Sequence, residues 1–192
     1  MGIKVAKFGG SSVADGIQLT KTKEIIRHDP DRKYIVVSAP GKRFEGDSKI
    51  TDILYLCKTH IEHNLPYDQL FQVVADRYMA VEINLGVKVD LLKHFDEIRE
   101  NLRNNPSADY IASRGEYLNA ILVAAFLDYD FVDTAGLIKF DEKGRLLTEE
   151  TDAALREELA KHERAVLPGF YGSTPDGKIK TFSRGGSDIT GA

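Results

Sequence analysis

The sequence predicts an α/β fold in which short, mainly parallel strands alternate with amphipathic helices. The first ground for this is the stretch from residue 3 to residue 37. Residues 3–8 alternate like a strand, Gly9-Gly10-Ser11-Ser12 breaks the pattern, and a helical run follows that Asp29-Pro30-Asp31 stops. Tyr34-Ile35-Val36-Val37 comes next and is apolar enough to be covered on both faces. Strand, glycine turn, helix and strand make a βαβ unit with a parallel pair. The second ground is composition: 192 residues, 42% hydrophobic and 29% charged, suffice for one sizeable core in an ordinary globular chain.

Within the first helical run Ile17, Ile25 and Ile26 are expected to carry the buried stripe. Residues 40–49 are rich in turn formers and mixed charge and read as a mobile, exposed loop. Asp47 or Ser48 can cap a helix through Ile53, Leu54 and Leu56. Pro66 starts another through Leu70, Val73, Val74 and Tyr78, and residues 89–102 form a third, amphipathic one. Three helices without a strand, over about 50–104, read as a helical insertion or cap on the sheet, where a substrate lobe would lie.

Residues 113–127 form the most apolar helix, with Leu118, Ile121, Leu122, Ala125 and Phe126 on one face. Short strands are expected at 131–133 and 137–140, a helix over 151–162, and a strand over 165–170. A hairpin around Thr174-Pro175-Asp176-Gly177 leads to a last strand over 179–182. The sequence has no internal repeat, no low-complexity segment and no composition shift that marks a second domain.

Several function classes drop out. A net charge of −4 gives no electrostatic reason to expect nucleic acid. The longest clean apolar run, residues 120–127, is too short to span a bilayer, and residues 1–8 lack the apolar stretch of a signal peptide, so no membrane partner is expected. The single Cys57 permits no intrachain disulfide and suits a reducing, cytoplasmic setting. Anionic substrates would need locally placed cations, and Lys7 and Arg184 are the candidates.

Lys7 falls at the C-terminal end of the first strand, where ligands of open α/β sheets bind. Glycines beside a lysine suit a phosphate, since backbone N–H groups can approach it and the ammonium adds a point charge. A tight turn with a solvated lysine fits the same residues. No P-loop is present: Gly41-Lys42 is followed by Arg43 and lacks the upstream glycine. Near the other end, Arg184-Gly185-Gly186-Ser187-Asp188 reads either as a helix start capped by Ser187-Asp188 beside a surface charge, or as a backbone opened for a carboxylate that the guanidinium grips. Glu116 lies in Ser113-Arg114-Gly115-Glu116, the spacing of a capping box, so its plain role is structural. Ser38 at a strand end, and Thr51 and Asp52 in a first helical turn, are residues of kinds more often structural than functional.

In order along the chain, Lys7-Phe8-Gly9-Gly10-Ser11-Ser12-Val13-Ala14, the Val36-Val37-Ser38-Ala39 strand end, Ser113-Arg114-Gly115-Glu116, Pro168-Gly169-Phe170-Tyr171-Gly172 and Arg184-Gly185-Gly186-Ser187-Asp188-Ile189-Thr190 resemble the aspartate kinases of the amino-acid kinase superfamily. The likeness runs from Ile3 to Ala192. It implies a three-layer αβα sandwich with a mainly parallel sheet, truncated, in which residues 1–192 are the amino-acid-binding part and the ATP-binding half and paired ACT domains are absent. It implies ATP and Mg²⁺ as cofactors, L-aspartate as substrate, and a homo-oligomeric parent enzyme.

Residue by residue, the resemblance makes Lys7 the group that neutralises the phosphoryl in flight, with Gly9, Gly10 and Ser11 in the phosphate-binding turn and Gly185 and Gly186 beside it. Glu116 would bind the substrate's amino group and Arg184 its α-carboxylate. Ser187, Ser38 and Thr51 would line the substrate site. Asp188 would organise the lysine and the metal-bound phosphates; no direct metal ligand is assigned. Ser11 stands where threonine is more usual and Ser183 where glycine often precedes the arginine, and neither change removes a charge. The isolated chain is expected to be inactive, because a helix with four residues beyond Asp188 should not persist alone. Another amino-acid kinase, such as a glutamate kinase, and a non-catalytic amino-acid-binding module are the competing readings.

Overall fold

The structure is a computed structural model that describes residues 2–104, 106–183 and 185–192. Strands β1 (Lys4–Phe8), β2 (Arg32–Val37), β3 (Asp130–Phe131) and β4 (Ala165–Pro168) form a parallel sheet in the order β1-β2-β4-β3. Phe8 pairs with Val37, and Val37 with Pro168, so the C-terminal ends of β1, β2 and β4 lie side by side. A separate antiparallel hairpin joins β5 (Tyr171–Ser173) to β6 (Ile179–Thr181) around the expected turn.

Helices cover the sheet from both faces, as the α/β reading requires. Ile35, Val37 and Val166 point into one large cluster with residues of α1 (Gly16–Arg27), α2 (Ile50–Glu62), α3 (Asp68–Leu85), α4 (Leu91–Arg103) and α5 (Ala108–Leu127). Val36, Ala165 and Leu167 point the other way, against Leu155 and Leu159 of α6 (Thr148–Leu159). The alternation along β2 and β4 is the period-two rule of a strand buried on both sides. A depression of about 490 Å³ remains on this second face, lined partly by Ile3, Val5, Tyr34 and Leu155. A last short helix, α7 (Gly186–Thr190), follows the hairpin. No helix among the described residues is long and apolar enough to cross a membrane.

Local details depart from expectation for identifiable reasons. The inward face of α1 is Gly16, Leu19, Thr22 and Ile26, while Ile17 and Ile25 are 70% and 51% exposed. Thr22 can face inward because its hydroxyl donates to the Ser12 carbonyl at 2.8 Å. The buried residues of α2 are Ile50, Leu54 and Cys57, with Leu56 outside, and in α3 Val74 and Tyr78 are buried while Val73 is exposed. Neither Asp47 nor Ser48 caps α2; Lys49 holds the N-cap position without a side-chain bond.

Helix α5 begins five residues before the expected start, capped by Ser107, whose Oγ accepts from Tyr110 N at 3.1 Å. From Ile111 to Ala124 it is buried almost all round, whereas Ala125 at its end is exposed. Residues 137–140 make two isolated bridges, Lys139 with Ser173 and Phe140 with Leu146, in place of a strand.

Candidate active site

The three aligned strand ends converge on one place. Lys7, next to last in β1, sends Nζ to Asp188 Oδ1 of α7 at 2.7 Å; the lysine side chain is 27% exposed and the aspartate 70%. The turn after β1 is a short 3₁₀ helix, Gly10–Val13, and α1 starts beyond it with Asp15 as its cap. Gly9 has an ordinary φ of −76°, so no unusual backbone conformation demands a glycine there. Gly10 is different. A Cβ on it would lie 2.9 Å from the Ala39 carbonyl oxygen, and one on Gly41 would lie 2.8 Å from the Gly10 carbonyl carbon. The two backbones meet directly, with Gly41 N donating to Gly10 O at 2.9 Å.

Ser38 follows β2 and is held on three sides. Its N–H donates to Phe8 O at 3.1 Å, its carbonyl accepts from Asn119 Nδ2 at 2.7 Å, and its Oγ lies 3.0 Å from Ser187 Oγ. Ser187, which is buried, and Asp188, which is exposed, both lie in the first turn of α7, so neither is the cap; Gly185, at φ +60°, occupies that position. The helix is five residues long and persists through tertiary contacts. Those contacts are the bond that Thr190 Oγ1 accepts from Phe170 N at 3.3 Å and the ion pair of Lys7 with Asp188; within the helix Thr190 Oγ1 also donates to Gly186 O at 2.8 Å. Arg184 lies outside the described residues.

Glu116 is not a capping-box partner. Since α5 begins at Ala108, Ser113 is interior to the helix and its Oγ donates back to Tyr110 O at 2.7 Å. Glu116 sits in the third turn, 6% exposed, and its Oε2 has no hydrogen-bond partner among the described residues. Burial pushes its carboxyl up from an ordinary value near 4.5 to about 7, against the smaller opposing pull of backbone hydrogen bonds from Ala39 and its own residue and of the Arg114 charge. Arg114 turns away into an aromatic box, 4.7 Å from the Tyr110 ring centre, 4.4 Å from Tyr117 and 5.4 Å from Tyr171.

A cavity of about 440 Å³ joins these pieces, lined by Gly10, Ser11, Ser38, Thr51 and Glu116 among others. The structure therefore brings together Ser38, Thr51 and Glu116 on one side, Gly10 and Ser11 in the glycine turn, and the Lys7–Asp188 pair at the neighbouring strand end. Lys42, Lys49 and Asn119 are neighbours that sequence reading passed over. Lys42 and Lys49 also line the cavity. Asn119 lies three residues after Glu116 on the same helix face, fully buried, with its Oδ1 unpartnered among the described residues. That spacing is a signal the sequence does contain.

The loop over 40–49 is not loose. Arg77 of α3, itself buried, donates to Ser48 O at 2.7 Å and to Gly41 O, and lies 3.4 Å from Asp47. Arg43 grips the same Asp47 through Nε at 2.8 Å and an N–H of its other nitrogen at 2.9 Å. The Arg43 hydrogen bond, with help from Arg77, holds the Asp47 carboxyl far below the usual carboxylate range. No group of three or more His, Cys, Asp or Glu side chains suited to a metal ion occurs among the described residues.

The model of the amino acid kinase family matches residues 2–192. The chain belongs to that family. It is 37% identical to aspartokinase 3 of Bacillus subtilis over 99% of its length, and 26% identical to the lysine-sensitive aspartokinase 3 of Escherichia coli, again over 99%. It covers 45% of each of those proteins, so this family member spans a little under half the length of the curated relatives it matches. The crystal structure of Clostridium acetobutylicum aspartate kinase superposes with a TM-score of 0.96 at 45% identity, covering 99% of this chain and 44% of that one. Escherichia coli aspartokinase III in complex with aspartate and ADP shares the fold, with a TM-score of 0.79 at 21% identity and 98% of this chain covered.

Proposed function

We propose that this family member carries the amino-acid side of an aspartate kinase, which transfers the γ-phosphoryl group of ATP to the side-chain carboxylate of L-aspartate, giving 4-phospho-L-aspartate and ADP. The observation that carries the reading is the pairing of two unlike charged sites across one set of strand ends. On one side is a buried carboxylate, Glu116, with an oxygen unpartnered among the described residues; on the other is the Lys7–Asp188 pair, open to water on its aspartate side, beside a glycine turn. The first suits an ammonium group and the second a phosphoryl group. The relatives, aspartokinases and an aspartate kinase, one of them in complex with aspartate and ADP, support the same pairing of ligands.

In this reading the attacking oxygen belongs to a carboxylate already ionised at neutral pH, so no general base is needed. A bond forms between that oxygen and the γ-phosphorus while the bond to the ADP oxygen breaks. An anionic nucleophile approaches an anionic phosphate, and positioning and charge neutralisation must lower the barrier. Lys7 supplies a mobile positive charge, with Gly9, Gly10, Ser11, Gly185 and Gly186 allowing close backbone approach. Asp188 keeps the ammonium in place. Glu116 fixes the substrate's amino group, Arg184 its α-carboxylate, and Ser38, Thr51 and Ser187 its polar edge.

Mg²⁺, held mainly by phosphate oxygens, would add positive charge to the departing ADP. The site fits that arrangement: Asp188 is a largely exposed carboxylate that phosphate-bound metal can reach, and no protein cage for a free ion stands among the described residues. Residues 1–192, with the helical segment over about 50–104 as an insertion, would form the amino-acid-binding part of the kinase domain. The reaction is proposed for a polypeptide of the relatives' length, acting as a homo-oligomer in the cytoplasm at the entry to lysine, threonine and methionine synthesis.

The test is an acyl-phosphate trap. The intact protein is incubated with ATP, Mg²⁺ and hydroxylamine and offered L-aspartate, L-glutamate or N-acetyl-L-aspartate, with Lys7→Ala protein run alongside. Hydroxamate that depends on L-aspartate and on Lys7 is the expected result. Preference for L-glutamate would move the assignment to another amino-acid kinase, and no turnover with any of the three would leave an amino-acid-binding module.

A further inference from the structure

The loop over 40–49 contains four cations if Arg77, which packs on it, is counted with Lys42, Arg43 and Lys49. They divide cleanly. Arg43 and Arg77 are both spent on Asp47, on the side of the loop away from Glu116. Lys42 and Lys49 have no ion pair among the described residues, and both line the cavity that holds Glu116 and Thr51. The division is built by backbone. Arg77 binds the carbonyls of Gly41 and Ser48, the residues immediately before the two lysines, so one buried guanidinium stations both ammonium-bearing positions at the cavity mouth. Gly41 is tied down again by its bond to Gly10.

Lys49 also sits where stability would not place it. It occupies the N-cap of α2 with no capping bond, at the positive end of the helix dipole, although Asp47 and Ser48 just before it are among the best capping residues. Two like charges facing one cavity repel each other as well. Both costs are relieved by an anion between them, and local rules broken in one place mark functional sites.

We propose that Lys42 and Lys49 form a two-point cationic clasp for a carboxylate of an acidic amino acid in the cavity, with Arg77 as the residue that positions them. This rests on the reading above that the cavity takes such an amino acid. That reading gives the α-carboxylate to Arg184 and leaves the side-chain carboxylate without a cation of its own in the cavity. A dicarboxylic amino acid brings two anionic ends and one cationic end; Glu116 answers the cation, and no cation in the described part of the cavity other than these lysines answers a carboxylate.

The test uses the intact protein with Lys42→Gln, Lys49→Gln and the double variant, varying L-aspartate and ATP separately in the hydroxamate assay. Each single change is expected to raise the KM for aspartate by roughly 3- to 10-fold, the double change by more, and to leave the KM for ATP within about twofold. Lys→Arg at either position should restore most of the loss. Because both side chains are exposed, added salt should raise the wild-type KM for aspartate and leave that of the double variant nearly flat. Thermal midpoints should hold or rise, which separates the clasp from a structural role. If the wild type turns over aspartate and the double variant keeps its aspartate KM, the clasp is wrong and the proposed reaction stands. A rise in the KM for ATP in place of aspartate hands the lysines to the phosphates and overturns the clasp too. A wild type without aspartate-dependent product removes both proposals.

Discussion

Two charged sites lie at the ends of neighbouring strands and are built in opposite ways. The Lys7–Asp188 pair is made at the surface, with Asp188 70% exposed, and each partner stands beside a glycine pair. The Asp188 carboxylate is largely solvated and the half-buried Lys7 ammonium lies against it, so in the proposed reaction the pair can open to a phosphate. Glu116 is 6% exposed, closed in by the tight approach of α5 to the β2 loop, where a Cβ on Gly115 would come within 2.8 Å of Ala39 Cβ. One site is an ion pair open to water on its aspartate side and the other is set by desolvation. The difference teaches where each should fail: the exposed pair should respond in rate with little change in stability, while the buried carboxylate should respond in affinity, pH dependence and stability together.

The largest expected effect tests the exposed side. Lys7→Ala in the intact protein should lower kcat by about 10²- to 10³-fold with little change in the KM for aspartate, since the ammonium acts on charge in the transition state. Its thermal midpoint should move little, because an ion pair with one partner mostly in water contributes modestly. A large loss of stability with kcat intact would make Lys7 a structural residue.

Next in size is Glu116. Its folded value, about 7, lies above its ordinary value near 4.5, so the native state holds more protons than the unfolded state between them. In the ligand-free protein this contribution favours folding at low pH and is lost as pH rises through that window. Glu116→Gln should therefore match the wild type near pH 4.5 and exceed it in stability above pH 7, read by chemical denaturation at both ends. An ammonium ligand needs the ionised carboxylate, so the wild-type KM for aspartate should fall from pH 6 to pH 8. The Gln variant should bind about 10-fold or more weakly and lose that dependence. Equal pH profiles for the two proteins would exclude Glu116 from the ligand.

A pair of glycine replacements sharpens the contrast at smaller scale. Gly115→Ala forces α5 off the β2 loop and should cost about 1 to 3 kcal/mol, measured by urea unfolding, with a raised KM for aspartate. Gly9→Ala meets only the flexible tip of Lys7, at 3.6 Å, and should stay within about 0.5 kcal/mol of the wild type. Smallest is Tyr78→Phe, which deletes the 2.6 Å bond from its hydroxyl to Gly115 O behind Glu116 and should cost about 1 kcal/mol.

The same division explains what the sequence disclosed. Lys7, at a strand end before a glycine turn, and the β5–β6 hairpin are readable from neighbours in the chain, whereas the ion pair of Lys7 with Asp188 joins opposite ends of the sequence. Burial is not. Ile17 and Ile25 look like core and are outside, because α1 docks through Gly16 and Thr22, whose size and hydrogen bonding decide the face. Glu116 looks like a capping partner because Ser113 imitates a helix start, while the true cap, Ser107, depends on nothing an apolar pattern marks. The loop over 40–49 looks mobile because its anchor, Arg77, lies 29 residues beyond Ser48 and 36 beyond Gly41.

The contact between Gly10 and Gly41 makes the glycine turn and the lysine-bearing loop share a wall with no side chain between them. Neither backbone can shift without displacing the other. If filling the amino-acid cavity draws the loop inward, the turn after β1 moves with it, and occupancy of one compartment is felt in the other as a coupling free energy. For the proposed substrates, thermodynamic reciprocity then fixes its form: any factor by which aspartate changes nucleotide binding must equal the factor by which nucleotide changes aspartate binding. Measuring both legs by calorimetry, in the wild type and in Gly41→Ala, would show whether a backbone contact two glycines wide serves as the gear between the two substrates.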